Sequence, residues 1–241
     1  MLVELAGSDR QVGELTRVVG QPQALVSYHL ARLRSGGLVS SHKSSFDGRA
    51  VYYRAHLDRC AELLASVGAA LHPGLSVVRP PYPPLPVTRD RRHLSVLFLC
   101  TGNGTRSQIA EALMRRATGG SVQVASAGSH PKPVHPNAVK VLSELGIDIA
   151  DARSKSVDQF SAHHVDYVIT LCDKVREVCP DFPGQKGAMH WSIEDPSRLP
   201  GTLRETLPAF RAVAADLESR IAYLISLIDT PTSKEHTRHG R

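Results

Sequence analysis

One cysteine in this sequence stands where it could act as a nucleophile on an anion. Five residues, Thr101-Gly102-Asn103-Gly104-Thr105, separate Cys100 from Arg106, and Ser107 follows directly. Backbone N–H groups of a glycine-containing loop can converge on a tetrahedral oxyanion, and a guanidinium can clamp two of its oxygens. These residue types at this spacing predict covalent attack by a thiolate on a phosphate-like oxyanion.

The same loop can generate the thiolate that the reaction needs. Residues 94–99 form a short apolar run that predicts a buried strand ending at Cys100, and residues 107–116 have helical spacing. A cysteine at a helix amino terminus and beside an arginine is stabilised in its ionised form, and Ser107 could donate a hydrogen bond to the sulfur. We therefore expect Cys100 to be ionised near neutral pH. The alternative is a buried cysteine that merely precedes a turn.

Two further cysteines, Cys172 and Cys179, could add redox chemistry. A phosphatase needs one cysteine because water resolves its phosphoenzyme, whereas two-electron reduction of an oxyanion needs a pair of thiols. If 172–179 is helical, the two sulfurs share a face but lie about 10 Å apart, from roughly 1.5 Å of rise per residue. Bridged cysteines need Cα atoms within about 7 Å, so a disulfide requires this segment to unwind. The alternative is that Cys172 is a core residue and Cys179 has no role.

Three segments together resemble the low-molecular-weight tyrosine phosphatase superfamily, including its thioredoxin-coupled arsenate reductases. They are residues 100–107, Ser126-Ala127-Gly128 and Asp195-Pro196. The resemblance implies that Asp195 is the general acid that protonates the leaving oxygen, that Asn103 holds the shape of the loop, and that Glu111 and Ser126 lie nearby.

The resemblance also implies roles for the remaining thiols. Cys172 and Cys179 match the spacing of the two resolving cysteines, with thioredoxin or a similar thiol system as reductant and no tightly bound cofactor. The chain departs from the reductase pattern at Thr105, where many relatives carry a second loop cysteine. Phosphotyrosine-specific relatives often carry aromatic residues after Asp-Pro, whereas Ser197-Arg198 stand here. Trp191 is a nearby ring that could form one wall of a pocket.

The first 72 residues predict a DNA-binding unit. Residues 12–19, the turn Gly20-Gln21 and residues 22–35 read as a helix-turn-helix, and 38–41 with 50–54 read as a hairpin around 44–48. In this order they resemble the winged helix-turn-helix of ArsR-type repressors. The resemblance implies that 22–34 is the recognition helix and that the hairpin is the wing.

Polar side chains of the recognition helix and wing are the candidates for contacts with DNA, against the alternative of an ordinary solvated basic face. They are Gln23, Ser27, Tyr28, His29, Arg32 and Arg34 on the helix, with Lys43 and Arg49 on the wing. The core-facing residues are expected to be Ala24, Leu25, Leu30 and Leu33. Metal-sensing relatives often carry a cysteine pair on this helix, and residues 22–34 contain none. Cys60 lies in a predicted helix, 58–71, that could pair two subunits, where a packed core thiol is favoured over a shared site.

Length and composition fit two folded units. The chain has 241 residues and a net charge of +6, which suits an anionic partner. We predict a winged helix-turn-helix DNA-binding domain (1–72, mostly α with a β hairpin), a proline-rich linker (73–93), an α/β domain with a parallel sheet flanked by helices (94–230) and a basic, disordered tail (231–241). In the α/β domain, strands at 122–125 and 167–171 and helices at 138–145 and 205–228 follow the first strand and helix.

No apolar run approaches the roughly 20 residues of a membrane-spanning helix, and the amino terminus lacks a signal-peptide pattern, so we expect no membrane association and a cytoplasmic location. The histidines show no metal-ligand spacing with the cysteines, and no metal site is predicted.

The sequence thus predicts a DNA-binding regulator joined to an arsenate reductase. In this hypothesis Cys100 attacks arsenate, Cys172 releases arsenite, and Cys179 takes over the disulfide. One alternative keeps the fold but makes it a protein tyrosine phosphatase, and another is a repressor whose second domain only senses an oxyanion. The expected partners are arsenate or a phosphate-like oxyanion, a double-stranded DNA operator, thioredoxin, and a second copy bound through the amino-terminal domain.

Overall fold

The computed structural model describes residues 1–72 and 94–229. The predicted linker (73–93) and tail (231–241) lie outside the described residues. Two sheets, each with its own apolar core, organise the described chain. No helix within these two ranges is long and apolar enough to span a membrane.

The first unit is a winged helix-turn-helix, which confirms the predicted fold class. Its elements are α1 (Leu2–Gly7), β1 (Arg10–Gln11), α2 (Val12–Val19), α3 (Gln23–Ser35), β2 (Val39–Lys43), β3 (Val51–Ala55) and α4 (Leu57–Leu71). The sheet order is β1-β3-β2, and both pairings are antiparallel. A capping box between Gln11 and Glu14 begins α2, and Gly20 ends it in the left-handed region. Neither α1 nor β1 was predicted.

The predicted core face of α3 is partly wrong. Val26 and Leu30 are buried and Leu33 packs partly against the same core, whereas Ala24 and Leu25 are exposed. Residues 26, 30 and 33 are spaced by four and three positions, so they form one stripe on a helix that 24 and 25 do not join.

Helix α4 buries none of its side chains in the described chain. Leu64, Val67 and Leu71 are exposed at helical spacing, and Cys60 on the same helix is half-buried. Nothing in the described chain covers this apolar face.

The second unit is the predicted parallel sheet flanked by helices. Its elements are β4 (Ser95–Cys100), α5 (Arg106–Thr118), β5 (Gln123–Gly128), α6 (Pro136–Glu144), β6 (Tyr167–Thr170), α7 (Asp173–Val178), β7 (Gly187–His190) and α8 (Leu203–Asp229). The strand order is β5-β4-β6-β7 with all pairs parallel. β4 is central, and five of its six residues are buried, which is why its sequence is continuously apolar. The strand β7 was not predicted.

The two units pack together through buried polar contacts. Asp9, which is 1% exposed, accepts hydrogen bonds from Arg220 at 3.0 Å and from the Ser192 N–H at 2.8 Å. Burial alone would lower the pKa of Arg220, but the carboxylates of Asp9 and Asp216 raise it, so the guanidinium stays charged. Arg54 adds a second ion pair to Asp216 at 3.0 Å. A buried charge is tolerated when it is paired in this way.

Candidate active site

Cys100 is the last residue of the central strand, and its side chain is 2% exposed. Helix α5 begins six residues later, at Arg106. The Cys100 sulfur lies 3.0 Å from the Ser107 hydroxyl and accepts the Asn103 backbone N–H at 3.2 Å. Strand, loop and helix therefore place a thiol at the carboxyl edge of the sheet and at the amino terminus of a helix, as the sequence predicted.

The peptide groups of the loop share one orientation. Carbonyl oxygens of Thr101, Gly102 and Gly104 accept backbone N–H groups from residues 130–135 at 2.8 Å. In a trans peptide the N–H that follows a carbonyl points the opposite way, so the N–H groups of the loop turn from this outer side toward the enclosed side. The contact of the Asn103 N–H with the Cys100 sulfur fits that direction. The loop can thus present converging donors to an oxyanion.

Asn103 fixes the loop from inside. Its φ of 46° is the one positive value of a non-glycine residue in the described ranges. The side-chain amide nitrogen donates to Ser107 at 2.8 Å and to Ser126 at 2.7 Å, while its oxygen accepts the Lys155 N–H at 2.7 Å. Asparagine tolerates the left-handed conformation better than most residues, and these bonds hold it there.

The hydrogen bonds of Asn103 also determine where the Ser107 hydroxyl hydrogen points. Because the amide NH₂ can only donate, the Ser107 oxygen accepts from it, and the Ser107 hydroxyl hydrogen is free to point at the Cys100 sulfur. A thiolate at that position would receive one side-chain donor and at least one backbone donor.

A buried carboxylate, that of Glu111, supports Asn103 through Ser126. Ser126 donates to Glu111 at 2.5 Å, and the ammonium of Lys155 lies 3.2 Å from the same carboxylate. Glu111 is 8% exposed and also pairs with Arg115. Glu111 and Ser126 are therefore close to the loop, as expected, whereas Lys155 was not predicted.

Arg106 points its guanidinium at the pocket and is 4% exposed. One terminal nitrogen donates to the Ile193 carbonyl at 2.8 Å, and the other lies 2.8 Å from the Asp195 carboxylate. Asp195 also accepts the Ser197 hydroxyl at 2.7 Å. The Nε of Arg106 is buried without a hydrogen-bond partner among the described residues. A buried guanidinium N–H without a partner suits a site made for an anion.

The loop floors a pocket of about 570 Å³. Cys100, Cys172, Arg106 and Asp195 all line it, so the structure brings the predicted reacting groups together. Basic side chains surround the mouth, namely Lys132, Lys174 and Arg198, with His135 beside them. Burial lowers the pKa of His135, although Asp195 partly opposes this. Positive charge at the mouth attracts an oxyanion.

The second cysteine of the pocket is Cys172, which is 4% exposed and directly precedes α7. Its sulfur lies 3.3 Å from the Thr101 hydroxyl. Burial raises the pKa of Cys172, although the Arg106 charge and the Thr101 hydrogen bond partly offset this. Cys179 caps the other end of α7 and is half-buried, and burial together with Asp181 raises its pKa to about 11. All four cysteines are free thiols.

Two residues at the pocket mouth, Ser45 and Phe46, were not predicted from the sequence. They belong to the turn between β2 and β3 in the first unit, yet they line the pocket. The suggestion that Trp191 forms a pocket wall is wrong, because Trp191 donates its ring N–H to the Gly7 carbonyl at 3.2 Å and packs at the contact between the units. The aromatic ring at the mouth is therefore Phe46. A turn sequence carries no signal for such a distant contact.

The candidate DNA-contacting residues lie apart from the pocket loop. Gln23, Ser27, Tyr28, His29, Arg32 and Arg34 are all exposed on α3. Lys43 and Arg49, at the two ends of the β2–β3 turn, are exposed as well. Helix α3 thus presents an exposed polar face. Among the described residues, no cluster of three or more potential ligand side chains is placed to hold a metal.

Comparison with known proteins finds a separate family match in each of the two units. Residues 95–234 match the family model for low molecular weight phosphotyrosine protein phosphatase, and residues 1–41 match that for bacterial regulatory protein, arsR family. An arsenate reductase of Halalkalibacterium halodurans is 41% identical over 126 residues, which cover 52% of this chain and 91% of that protein. One from Bacillus licheniformis is 39% identical over 127 residues, covering 53% and 91%.

A solved structure described as an arsenate reductase in the phosphate binding state is also similar. It superposes with a TM-score of 0.50 at 32% identity and covers 56% of this chain and 98% of its own. The similarity to these reductases extends over nearly their full length, and the arsR model covers the segment that holds α1, α2 and α3.

Proposed function

Because the chain belongs to the low molecular weight phosphotyrosine protein phosphatase family, we propose that its second unit reduces arsenate to arsenite. One observation carries the proposal: a second thiol, Cys172, lines the same pocket as Cys100. A phosphatase has no use for that thiol, whereas reduction of arsenate requires two electrons from a thiol pair. The named activity of the similar reductases supports the same choice of substrate.

The reaction begins with attack of the Cys100 thiolate on arsenic. A sulfur–arsenic bond forms and one arsenic–oxygen bond breaks, and the leaving oxygen takes a proton from Asp195 and departs as water. The oxyanion replaces the carboxylate at the Arg106 guanidinium, whose Nε is available to it. That exchange leaves the Asp195 carboxylate facing the anion without its guanidinium partner, where it takes up a proton from solvent and then donates that proton to the leaving oxygen.

Reduction follows when Cys172 attacks the sulfur of Cys100. A Cys100–Cys172 disulfide forms, and the pair of electrons in the sulfur–arsenic bond passes to arsenic, which leaves as arsenite. Two thiols are oxidised and one arsenic atom is reduced by two electrons. Cys179 then attacks Cys172, which frees Cys100 and leaves a Cys172–Cys179 disulfide. A dithiol reductant of the thioredoxin class returns both cysteines to thiols.

The test is arsenite production with thioredoxin, thioredoxin reductase and NADPH. Cys100→Ser and Cys172→Ser should each lower turnover by about 10³-fold or more, because each removes a bond-forming sulfur. Cys179→Ser should complete one turnover and then stop, with a Cys100–Cys172 disulfide detectable by mass spectrometry. Cys60→Ser is the matched control and should retain full activity, since Cys60 lies on α4, outside the pocket. Multiple turnovers by Cys172→Ser would contradict the relay.

One observation favours a second activity in the same pocket. Phe46 places an aromatic ring at the mouth, where a phosphotyrosine ring could stack. If the unit were mainly a phosphatase, hydrolysis of an aryl phosphate would far exceed arsenate reduction and would fall in Phe46→Ala. We expect arsenite production to dominate instead.

A third possibility is that the second unit only senses an oxyanion. Release of DNA by arsenate in a Cys100→Ser variant without turnover would favour that role.

For the first unit we propose binding to a double-stranded DNA operator. The arsR family match and the exposed polar face of α3 support this. A selection from random DNA sequences should yield a preferred site. Replacing Gln23 or Arg32 on the helix should weaken binding to that site by about 1–3 kcal/mol, whereas replacing Arg49 on the wing should weaken binding to all sequences and reduce its salt dependence. Equal effects of the helix variants on every DNA would contradict readout by α3.

A further inference from the structure

The short helix between the two relay cysteines is also the point where the catalytic unit holds the wing. Cys172 and Cys179 flank α7 directly. The first residue of α7, Asp173, accepts the backbone N–H of Ser45 at 3.0 Å, and Ser45 lies in the turn between β2 and β3. We call residues 44–50, which connect those strands, the wing turn. A residue adjacent to a redox cysteine therefore anchors the DNA-binding unit.

Asp173 is fixed by buried neighbours in its own unit. It is 2% exposed and accepts hydrogen bonds from Ser192 at 2.5 Å and from His190 at 3.0 Å. Burial would raise the pKa of Asp173, but the hydrogen bonds from His190, Ser192 and Ser44 hold it well below its ordinary value. The carboxylate is thus charged, and part of its charge is stabilised by the wing turn itself.

A second residue of α7 contacts the helix-turn-helix. Arg176 pairs with Glu14 of α2, and both side chains are about one-fifth exposed. The Arg176 guanidinium also lies 5.3 Å from the centre of the Tyr52 ring on β3. Tyr52 is 2% exposed. Two residues of one six-residue helix therefore contact three parts of the other unit: the wing turn, α2 and β3.

This helix cannot keep its form when its flanking cysteines are joined. Seven residues of helical rise separate Cys172 from Cys179 by about 10 Å, whereas disulfide-bonded Cα atoms lie within about 7 Å. Shortening that distance must unwind α7 between its ends. Asp173 and Arg176 lie within the stretch that changes, so their contacts with Ser45 and Glu14 cannot all survive.

We propose that formation of the Cys172–Cys179 disulfide releases the wing turn from the catalytic unit. The inference rests on the proposed thiol relay. Oxidation removes two electrons and two protons from the cysteine pair, and these go to arsenate in turnover or to an added dithiol oxidant. The release is local, because the Asp9–Arg220 pair and the Trp191–Gly7 hydrogen bond involve no residue of α7. A freed wing turn opens the pocket mouth to the reductant.

The test uses the full chain labelled with ¹⁵N and follows two sets of N–H groups. The Ser45 amide reports on the contact with Asp173, while the Asp9 amide and the Trp191 ring N–H report on hydrogen bonds between the units that no residue of α7 makes. Spectra and hydrogen exchange are recorded for the reduced protein, after arsenate without reductant, and after diamide. Mass spectrometry maps the disulfide in each sample. We expect the Ser45 amide to exchange at least about 10-fold faster once the Cys172–Cys179 bond forms, with the other two unchanged.

The outcomes separate this inference from the proposed activity. A Cys172–Cys179 bond made by both oxidants, with release of Ser45, supports both. Release after diamide, without any disulfide after arsenate, supports the inference and contradicts the relay. A mapped Cys172–Cys179 bond with Ser45 still protected overturns the inference. So does loss of protection at all three N–H groups, because release would then be general, and so does failure of both oxidants to form the bond.

A matched pair of variants gives an independent test that does not depend on arsenate. If contact with the first unit stabilises the helical form of α7, then the disulfide that unwinds α7 must weaken that contact. Because such coupling is reciprocal, weakening the contact must favour the Cys172–Cys179 disulfide by the same factor. Glu14→Gln should therefore raise the ratio of oxidised to reduced Cys172–Cys179 about 3-fold in a fixed thiol–disulfide buffer. Glu144→Gln, which removes a different ion pair with Arg211, should leave the ratio unchanged. Equal ratios in the two variants would overturn the coupling.

Discussion

Asn103 shows how one side chain can organise an anion site. Its left-handed backbone turns the loop, and its amide joins Ser107 on one side to Ser126 on the other. The bond to Ser107 matters for chemistry because it leaves the hydroxyl hydrogen for the Cys100 sulfur. Loop shape and stabilisation of the thiolate thus depend on the same residue.

Asn103→Ala should therefore damage activity more than stability. Alanine removes both side-chain donors and disfavours the positive φ, so we expect arsenite production to fall by about 10²-fold and the free energy of unfolding by about 1–3 kcal/mol. Steady-state assays and urea denaturation measure the two effects. Asn137→Ala is the control, because its buried amide makes two hydrogen bonds to Leu203 and Thr206, and none of these three residues lines the pocket. It should lose comparable stability yet keep its turnover.

The pH dependence of arsenite release should report on Cys172. Its raised pKa means that little thiolate exists at neutral pH, so single-turnover release should accelerate as pH rises. Thr101→Val deletes a hydrogen bond that lowers this pKa, and should slow release at neutral pH while approaching the wild-type rate in alkali. Thr118→Val, which loses a hydroxyl in α5 remote from the thiols, should match wild type. A flat profile for wild type would contradict a rate limited by ionisation of Cys172.

Sequence pattern identified the reacting residues better than their surroundings. Cys100, Arg106 and Asp195 meet in one pocket, as their motifs suggested. Lys155 and Phe46 carried no signal, because a single lysine or an aromatic residue in a turn is common at any surface. Only the packing of the chain brings Lys155 to Glu111 and Phe46 to the pocket mouth.

Helices and strands with a strong local sequence pattern were predicted, whereas strands that depend on pairing with a distant segment were not. β4 and α5 have strong local patterns, and their predicted limits differ from the observed ones by one or two residues. By contrast, β7 is four residues long with mixed burial and exists because it pairs with β6. The two-residue β1 likewise depends on β3. Such strands are fixed by long-range pairing, which periodicity does not report.

Gly102 and Gly104, in the loop between β4 and α5, differ in how much space a side chain would have. A Cβ on Gly104 would lie 2.6 Å from the Pro133 carbonyl oxygen, whereas one on Gly102 would meet only the Lys132 side chain at 3.6 Å. Gly104→Ala should thus displace the backbone, cost about 1–3 kcal/mol of stability and weaken phosphate binding. Gly102→Ala should be nearly neutral. Calorimetric titration with phosphate and urea denaturation measure both, and equal behaviour of the two variants would show that the loop is not tightly packed against residue 133.

At the scale of the whole molecule, the contact between the units was invisible to sequence analysis. None of Asp9, Arg220 and Asp216 was singled out from the sequence. Their pairing depends on residues about 200 positions apart along the chain, as in the hydrogen bond between Asp9 and Arg220 with a separation of 211. Local patterns predict two folded units, but not that they share buried ion pairs.

This contact should make the two units unfold as one. Asp9→Asn leaves Arg220 with less compensation at a buried position, and breaking a buried pair by removing one partner costs about 3–5 kcal/mol. Arg220 keeps Asp216 at 3.3 Å, so we expect the lower end of that range, and we expect the single urea transition of wild type to split into two. Asp9→Asn combined with Arg220→Met removes the uncompensated charge and should recover part of the loss. If Asp9→Asn unfolds in one transition at the wild-type midpoint, the buried pair does not couple the DNA-binding unit to the catalytic unit.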